Sequence, residues 1–259
     1  RMYFKDDVQL ISESSFDNVF MLLEQGDVDL GILPVENSSI GIISRVYDLL
    51  SEYDMYIMGE LYLEVEHNLL ALPGARLEDI EEVYSHPQAI EQCNKFLSQH
   101  PGWKVIPFFD TAKSAKWIRE KGQLAYGAIA SVEAAQLYKL EILSSDIHDN
   151  PLNYTRFVVI AREGHVDSSY NKISLNISLS HRPGSLYKVV EQFAKNDLNM
   201  LNIQSRPIVT KPFEYMFYID FEGNLEDESV KKTIEGIKHH CSSFKVIGNY
   251  KAGDFNHIL

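Results

Sequence analysis

Apolar and polar residues alternate between positions 173 and 179, and this pattern constrains the fold more than any other feature of the chain. The apolar members are Ile173, Leu175, Ile177 and Leu179, and serine or asparagine separates them. A period of two predicts a β-strand with one buried face. Apolar residues then recur with a helical period at 186–194 and 230–241, and with strand character at 199–209, 215–221 and 244–250, with a turn near Lys211-Pro212. The predicted order, βαββαβ, is the ferredoxin-like arrangement.

A polar segment, residues 162–171, precedes this unit and has neither a helical nor a strand period, so it is predicted to be a linker. In the first 165 residues, predicted strands and helices alternate, which favours a mixed or parallel sheet covered by helices. The 259 residues are enough for two domains that each have a hydrophobic core. In open sheets of this kind, ligands bind at the strand ends that face the helices.

Composition excludes several classes of function. The formal charge of −13, without a Lys/Arg-rich block, disfavours nucleic acid and acidic membrane surfaces as partners. No apolar run approaches the roughly 20 residues of a membrane span, and residues 1–30 lack the pattern of a secretory signal, so a cytoplasmic protein is expected. Cys93 and Cys241 are predicted to be core residues rather than a disulfide or zinc site. The nine histidines show no metal-binding spacing, and no metal is predicted.

Three predicted strands in the first half run into polar corners that precede a helix. The corners are Glu36-Asn37-Ser38-Ser39, Ser85-His86-Pro87 and Asp110-Thr111. Asn37 or a neighbouring serine is expected to cap the first helix, Pro87 to occupy the first turn of the second, and Thr111 to cap the third. Each corner is also explained by simple capping. Together, however, they would place unpaired N–H groups and positive helix ends at one sheet edge, which favours an anion.

The strand predicted at 153–161 carries a hydroxyl and a guanidinium, from Thr155 and Arg156, at the start of an apolar run. Arg156 could supply a bidentate contact to a carboxylate. Glu36 is either a tuned acid or base, or an exposed carboxylate near a helix start. A small dicarboxylate is therefore the predicted ligand class, and the residues by themselves name no reaction.

Several motifs in sequence order resemble the prephenate dehydratase family. In the first half these are Gly31-Ile32-Leu33-Pro34-Val35-Glu36-Asn37-Ser38, then Tyr84-Ser85-His86-Pro87-Gln88 with Gln92-Cys93, and Asn153-Tyr154-Thr155-Arg156-Phe157. In the second half, Arg182-Pro183-Gly184-Ser185-Leu186-Tyr187 is similar to the effector loop of that family's ACT domain, and Gln204-Ser205-Arg206-Pro207 to its Glu-Ser-Arg-Pro motif. The resemblance covers nearly the whole chain.

The resemblance implies an α/β protein with a catalytic domain at 1–165 and an ACT regulatory domain at 172–252. The catalytic domain would have two lobes, like a periplasmic binding protein, with lobe one at about 1–67 plus 150–165 and lobe two at about 68–149. It would be a carbon–oxygen lyase that converts prephenate to phenylpyruvate in phenylalanine biosynthesis, without a cofactor. Thr155 would assist departure of the ring hydroxyl, Arg156 would bind a carboxylate or brace the loop, and Phe157 would pack beneath the ring. Substrate-binding positions would be Glu36, Asn37, Ser38, Ser85, Gln92 and Thr111.

The resemblance also implies feedback inhibition by phenylalanine, bound where ACT domains pair in a homodimer or homotetramer. The effector-binding positions would be Gly184, Ser185, Leu186, Asn199, Gln204, Ser205, Arg206 and Pro207. Gln204 stands where the family commonly has glutamate, and the loss of that negative charge would weaken attraction to an amino group. The family usually opens with a strand and a Gly-rich loop, whereas this sequence begins at Arg1 and runs into Tyr3-Phe4, so that segment is expected to be missing. Arogenate dehydratase and a non-catalytic metabolite sensor are the alternative functions.

Overall fold

The computed structural model of the protein describes residues 3–4, 8–208, 211 and 213–254. In this part of the chain there are eight α-helices and thirteen strands. The helices are α1 Phe16–Gln25, α2 Ser44–Glu52, α3 Pro87–Gln92, α4 Asn94–Ser98, α5 Thr111–Lys121, α6 Val132–Tyr138, α7 Ser185–Lys195 and α8 Glu228–Lys238. The strands are β1 Gly31–Asn37, β2 Gly41–Ile42, β3 Tyr56–Glu64, β4 Asn68–Ala71, β5 Glu82–Ser85, β6 Lys104–Pro107, β7 Tyr126–Ala130, β8 Glu141–Ser144, β9 Tyr154–Ala161, β10 Lys172–Leu179, β11 Met200–Pro207, β12 Tyr215–Glu222 and β13 Cys241–Tyr250.

The described residues fall into two compact units, and the chain passes between them more than once. One unit takes in the residues up to 37, residues 41–63 and those from 156 onward; the other takes in 38–40 and 64–155. The predicted linker, 162–171, contains no helix or strand, as expected. Each helix in the described ranges is too short or too polar to cross a membrane.

The first unit is built on an eight-stranded sheet with the order β11-β12-β10-β13-β3-β9-β1-β2. The last four strands and the last two helices of the described chain follow one another in the predicted order, β10-α7-β11-β12-α8-β13. This confirms the βαββαβ pattern. Apolar residues of α7 and α8, including Val189, Phe193 and Ile237, pack with Ile173 and Leu175 of β10 in one core. Lys211 follows β11 as predicted for the turn, whereas Pro212 lies outside the described residues.

Strand β10 differs from its prediction in one respect. The alternation predicted one buried face, but all eight residues from Lys172 to Leu179 are buried. The polar face is satisfied by hydrogen bonds: the Ser174 hydroxyl donates to Asp220 Oδ1 at 2.5 Å, and Ser178 Oγ lies 2.6 Å from Ser243 Oγ. The reason is that α2 covers this face: Asn176 Nδ2 donates to Ser51 Oγ of α2 at 3.4 Å, and Tyr218, opposite Asn176 on β12, packs with Tyr47 of α2.

The βαββαβ strands join the earlier strands through a parallel contact of β13 with β3, where Gly248 lies opposite Ile57. A β-carbon on Gly248 would lie 2.7 Å from the carbonyl oxygen of Ile57 and 2.8 Å from its β-carbon. Only glycine permits this approach of the two backbones. The residue therefore allows one continuous sheet to form from both halves of the sequence.

The second unit contains a five-stranded sheet with the order β6-β5-β7-β4-β8. Strand β5 runs parallel to β6 and β7, and β4 runs antiparallel to β7 and β8, which confirms the predicted mixed sheet. Leu69 and Leu70 are adjacent on β4 and enter different cores, one on each face. Cys93 is fully buried in one of these cores, as predicted, and Cys241 is half-buried against the core of the other unit.

Helices follow the second and third polar corners as predicted, whereas the first corner turns into β2, and two of the predicted caps are wrong. Helix α2 begins only at Ser44, and its N-cap position, Ile43, makes no side-chain capping bond. Asn37 cannot cap it because β1 continues through Asn37 and turns back into β2. Thr111 is the first helical residue of α5, and Asp110 is the cap, with its carboxylate accepting from the N–H of Lys113 at 2.5 Å. Pro87 does begin α3, behind the His86 cap.

The glycine contact between β13 and β3 gives a first prediction. Gly248→Ala should lower the free energy of unfolding by about 1 to 3 kcal/mol, because the new methyl group meets backbone that cannot move without opening the sheet. Urea unfolding measures this. Gly102→Ala is the matched control, since a β-carbon there meets nothing within 4 Å. Equal unfolding midpoints for the two variants would contradict the proposed steric role of Gly248.

Candidate active site

The residues just before Thr155 are tied to Ser38 by a short ladder of hydrogen bonds. The backbone N–H of Ser38 donates to the carbonyl of Tyr154 at 2.8 Å, and the Ser38 hydroxyl donates to the carbonyl of Leu152 at 2.7 Å. In return, the N–H of Tyr154 donates to the Ser38 hydroxyl at 2.9 Å. All of these residues belong to the second unit. Ser38 therefore fixes the backbone that leads into Thr155.

The amide of Gln92 is held in one orientation by two donors. The ring Nε2 of His67 lies 2.7 Å from Gln92 Oε1, and Asn153 Nδ2 donates to the same oxygen at 3.2 Å. Because a carbonyl oxygen can only accept, His67 carries its proton on Nε2, and the NH2 group of Gln92 is the side that remains to donate. Asn153, which is buried, also donates to the carbonyl of Val65 at 3.0 Å.

A cavity of about 470 Å³ lies beside these groups, within the second unit. Its lining residues are Ser38, Ser39, Ile40, Glu91, Gln92, His148, Asp149, Asn150 and Asn153. Its described lining has no lysine or arginine, so recognition of an anion there would use neutral donors such as amide and hydroxyl groups. The Asp149 carboxylate is already engaged by the N–H of Lys95 at 3.0 Å.

Two histidines stand close to this cavity. The rings of His67 and His148 meet edge to face, with centroids 6.3 Å apart. Burial lowers the pKa of His67 and His148 adds to this, against the opposing hydrogen bond with Gln92. His67 is therefore neutral at pH 7. The Nδ1 atom of His148 is buried without a hydrogen-bond partner among the described residues.

Sequence reasoning placed Ser38 and Gln92 in the site, and both line this cavity; the other substrate-binding positions do not. The Ser85 hydroxyl is fully buried and donates to the carbonyl of Ile129 at 2.7 Å, while Thr111 is the half-buried start of α5. Glu36 and Asn37 lie at the end of β1, in the first unit, opposite Ile42 and Gly41 of β2. Their role in substrate binding stays a prediction.

Arg156 does not have the environment predicted for a substrate-binding arginine. Its side chain is buried, its Nε donates to Glu60 Oε2 at 2.7 Å, and its Nη1 lies 2.7 Å from Asp220 Oδ2. Its Nη2 donates to the hydroxyl of Tyr250 at 3.2 Å. All three nitrogens are thus engaged by the protein, which favours the bracing role over a substrate carboxylate contact. Thr155 is also buried, and Phe157 is half-buried.

The sequence interpretation missed His67, His148, Asn150 and Asn153 as site residues. Asn150 and Asn153 were treated as turn formers, although two amides three residues apart before a strand are also donors for a site. Asn150 does form a turn, accepting from the N–H of Leu152 at 3.1 Å, and also donates to the Ser39 hydroxyl at 3.1 Å. His67 carried no signal because its partner, Gln92, is remote in sequence, and His148 carried none because the His67 ring that it contacts is also remote.

The predicted effector positions lie on two neighbouring features of the βαββαβ segment. Gly184 precedes α7 with φ of 79°, a conformation that favours glycine, and Ser185 and Leu186 open that helix. Asn199 precedes β11, and Gln204, Ser205, Arg206 and Pro207 complete that strand. Arg206 makes a bidentate ion pair with Asp48 of α2, at 2.9 and 2.8 Å. Effector binding by these residues stays a prediction.

The described residues contain no cluster of three or more histidine, cysteine or acidic side chains that could hold a metal ion. A larger cavity, of about 730 Å³, lies in the first unit and is lined mainly by residues 8–16 and 27–33. Its described lining contains none of the predicted site residues. The smaller cavity, beside Ser38 and Gln92, is therefore the one that contains predicted site residues.

Comparison with known proteins gives the family. Residues 1–165 match the family model described as prephenate dehydratase. The chain belongs to this family. It is 38% identical over 252 residues to arogenate dehydratase/prephenate dehydratase 1, chloroplastic, of Arabidopsis thaliana, an alignment that covers 91% of this chain and 64% of the relative. The chain thus spans less than two thirds of the length of that relative.

Two solved structures extend the likeness to the fold. The prephenate dehydratase of Arthrobacter aurescens in complex with L-Phe gives a TM-score of 0.84 at 28% identity, covering 93% of this chain and 81% of the other. A structure described as GqqA, a novel type of quorum quenching acylase, gives the same TM-score of 0.84 at 29% identity, covering 94% of this chain and 89% of the other. Since a protein of another named activity shares this fold, function has to be argued from the site.

The buried His67 gives a pH prediction. Its folded pKa is below its ordinary value of 6.5, so the unfolded chain takes up a proton first as the pH falls. The resulting stability is complete above pH 6.5 and declines as the pH is lowered below it. His67→Gln keeps an N–H donor for Gln92 without a titrating ring, so its unfolding free energy should fall less between pH 7.5 and 5.5. Urea unfolding at both pH values tests this, and equal decreases would contradict it.

Proposed function

We propose that the protein is a prephenate dehydratase, which converts prephenate to phenylpyruvate with loss of water and carbon dioxide. The observation that supports this most is the site itself. The backbone before Thr155 is fixed by Ser38, and Asn153 and His67 hold the amide oxygen of Gln92, which lines a cavity of small-ligand size. Family membership supports this reaction, and the site contains hydroxyl and amide groups of the kind that it needs.

The chemistry asks little of the protein. The bond between the ring and its carboxylate breaks and releases carbon dioxide, its electron pair completes the aromatic ring, and the ring hydroxyl departs and takes a proton from solvent to form water. Aromatisation drives the reaction, so the protein needs to position the substrate and stabilise the departing oxygen. We assign that stabilisation to the Thr155 hydroxyl, because a threonine is too weak an acid to transfer a proton unaided.

Arogenate, the aminated counterpart of prephenate, is the alternative substrate. The name of the Arabidopsis relative supports this alternative, because it includes both dehydratase activities. The two substrates share the ring, its carboxylate and the leaving hydroxyl, so the mechanism assigned to Thr155 applies to both. The same relative is chloroplastic. A cytoplasmic location for this protein therefore stays a prediction.

We further propose that the βαββαβ segment is an ACT domain that binds phenylalanine and inhibits the enzyme. The element order and the position of Gly184 before α7 support this, and the Arthrobacter aurescens structure is a complex with L-Phe. Arg206 of the effector motif contacts Asp48 on α2, which provides a physical link to the catalytic part of the sequence. Inhibition requires that phenylalanine bind a less active arrangement more tightly than the active one. A homodimer or homotetramer is the assembly that we expect.

The decisive assay follows phenylpyruvate formation from prephenate by the purified protein, with phenylalanine formation from arogenate in parallel. Each reaction is run with and without added phenylalanine. Turnover of prephenate that phenylalanine suppresses is the expected result. Preferential turnover of arogenate would reassign the substrate, and turnover of neither by folded protein would favour a metabolite sensor.

Thr155→Ala should lower kcat by about 100-fold or more, with KM changed only a few-fold, because the hydroxyl acts mainly in the transition state. Thr155→Ser retains the hydroxyl and should keep much of the activity. Steady-state kinetics at 25 °C separates the two parameters. Thr233→Ala, which removes a buried threonine hydroxyl that donates to Ser229 within α8, is the matched control. Parental activity in Thr155→Ala would overturn the role assigned to Thr155.

Gly184→Ala should raise the phenylalanine concentration needed for half-inhibition several-fold, since alanine strains the backbone at the predicted effector loop. The uninhibited rate should stay near that of the parent. Gly74→Ala is the matched control, because Gly74 has a similar φ of 87° and open surroundings in the other unit. Dose–response curves of the two variants measure the effect. A loss of turnover without a shift in inhibition would contradict the regulatory assignment.

A further inference from the structure

Four charged side chains form a buried cluster in the first unit. They are Glu60, Arg156, Lys172 and Asp220, and we call them the charge cluster. Arg156 contacts both carboxylates, as described above. The Lys172 ammonium group donates to both oxygens of Glu60, at 3.0 and 2.9 Å. Each of the four side chains is at most 8% exposed. Two positive and two negative charges therefore balance in a buried site.

Neutral groups complete the hydrogen bonding of the charge cluster. The Ser174 hydroxyl donates to Asp220 Oδ1 at 2.5 Å and lies 2.9 Å from the Tyr250 hydroxyl. The N–H of Gly253 donates to Glu60 Oε1 at 3.0 Å. Burial would raise the pKa of Asp220, but Arg156 and Lys172 outweigh it, so the pKa is lowered and the carboxylate stays charged. Removal of one member would leave an unbalanced buried charge.

The charge cluster joins two parts of the sequence that serve different proposed functions. Glu60 and Arg156 lie on β3 and β9, within the 1–165 range that matches the family model. Lys172 and Asp220 lie on β10 and β12, in the βαββαβ segment. Arg156 directly follows Thr155 in the chain, and the boundary of the two compact units falls between these residues. The βαββαβ segment thus holds the residue that anchors the end of the strand carrying Thr155.

We propose that Asp220 and Lys172 are positioning residues for catalysis, which fix Thr155 through Arg156 and Glu60. The βαββαβ segment would then be required for turnover itself, beyond its proposed role in inhibition. Stability alone is a weak explanation for such a cluster, because well-packed apolar residues of similar volume stabilise a core at least as well. Directional contacts to all three guanidinium nitrogens do what apolar packing cannot, since they define the position of the backbone at residue 156. Small displacements of a catalytic group have large effects on rate.

The test compares Asp220→Asn with the double variant Asp220→Asn/Lys172→Met. The single variant leaves one positive charge in excess, and the double variant restores the balance while Arg156 still lacks its second carboxylate. Urea unfolding should show a lower midpoint for the single variant and a recovered one for the double. We expect kcat for prephenate to fall tenfold or more in both, with KM within about threefold. If kcat instead recovers together with the midpoint, the charge cluster is merely structural and the proposal is overturned.

Asp48→Asn is the matched control, because it removes a different carboxylate that also pairs with the βαββαβ segment, at Arg206. It should leave kcat within twofold of the parent. An equal loss of kcat in this variant would show that any lost ion pair has the same effect, which would overturn the specific role of Asp220. Ser174→Ala is the milder variant if Asp220→Asn does not fold, since it removes one donor to Asp220 and retains every charge. A parental kcat in Ser174→Ala would then count against positioning.

The inference rests on the proposed function, so a readout without substrate is needed as well. Hydrogen–deuterium exchange of peptides that cover residues 152–158 should be faster in Asp220→Asn than in the parent and unchanged in Asp48→Asn. If the parent does not turn over prephenate but exchange responds in this way, the dehydratase assignment fails while the anchoring of this segment holds. If the parent is active and exchange is unaffected by Asp220→Asn, the positioning proposal fails while the dehydratase assignment holds.

Discussion

The eight-stranded sheet depends on charge balance at the place where its early and late strands meet. Five strands contribute side chains there: Glu60 from β3, Arg156 from β9, Lys172 and Ser174 from β10, Asp220 from β12 and Tyr250 from β13. Each charge has an opposite partner within 3 Å, and burial raises the pKa of Tyr250 far above its usual range, with Asp220 adding to the effect. The tyrosine therefore remains a neutral hydroxyl. The geometry of β9 follows from this arrangement, and with it the backbone next to Thr155.

The parallel contact between β13 and β3 is the steric counterpart of that balance. Gly248 lets the strands approach, and the approach brings Tyr250 of β13 and Glu60 of β3 into the same buried site. A side chain at residue 248 would separate the strands and so weaken contacts several residues away. Packing and electrostatics in this sheet are thus two aspects of one constraint.

Periodicity was sufficient to predict the order of the elements in the βαββαβ segment, because the buried face of each strand and helix shows in the local sequence. It wrongly placed Cys241 on a helix, whereas α8 ends at Lys238 and Cys241 begins β13. It was not sufficient for β10. Its serine and asparagine residues resemble a solvent-facing row, and only the packing of α2 and the contacts with neighbouring strands show that they are buried and hydrogen-bonded. Arg156 shows the same limit, since a guanidinium near a predicted anion site gives no local sign that Glu60 and Asp220 already occupy it. In the candidate site, the sequence predicted Ser38 and Gln92. The orientation of Gln92 depends on hydrogen bonds from His67 and Asn153, and only the three-dimensional structure shows these contacts.

The order of pairing along the chain has a consequence for synthesis on the ribosome. The strands of the five-stranded sheet, β4 to β8, are consecutive in sequence, so that sheet can form as soon as residue 144 has emerged. Strand β3 has a neighbour in β9 but gains its other neighbour, β13, only when residues 241–250 are made. Until then Arg156 on β9 can pair with Glu60, but β10, which carries Lys172, is not yet joined to β3 through β13, and one side of β3 is an unpaired edge. The nascent chain therefore carries a finished unit between two segments of an unfinished one, and β13, made after the other described strands, closes the sheet that they began.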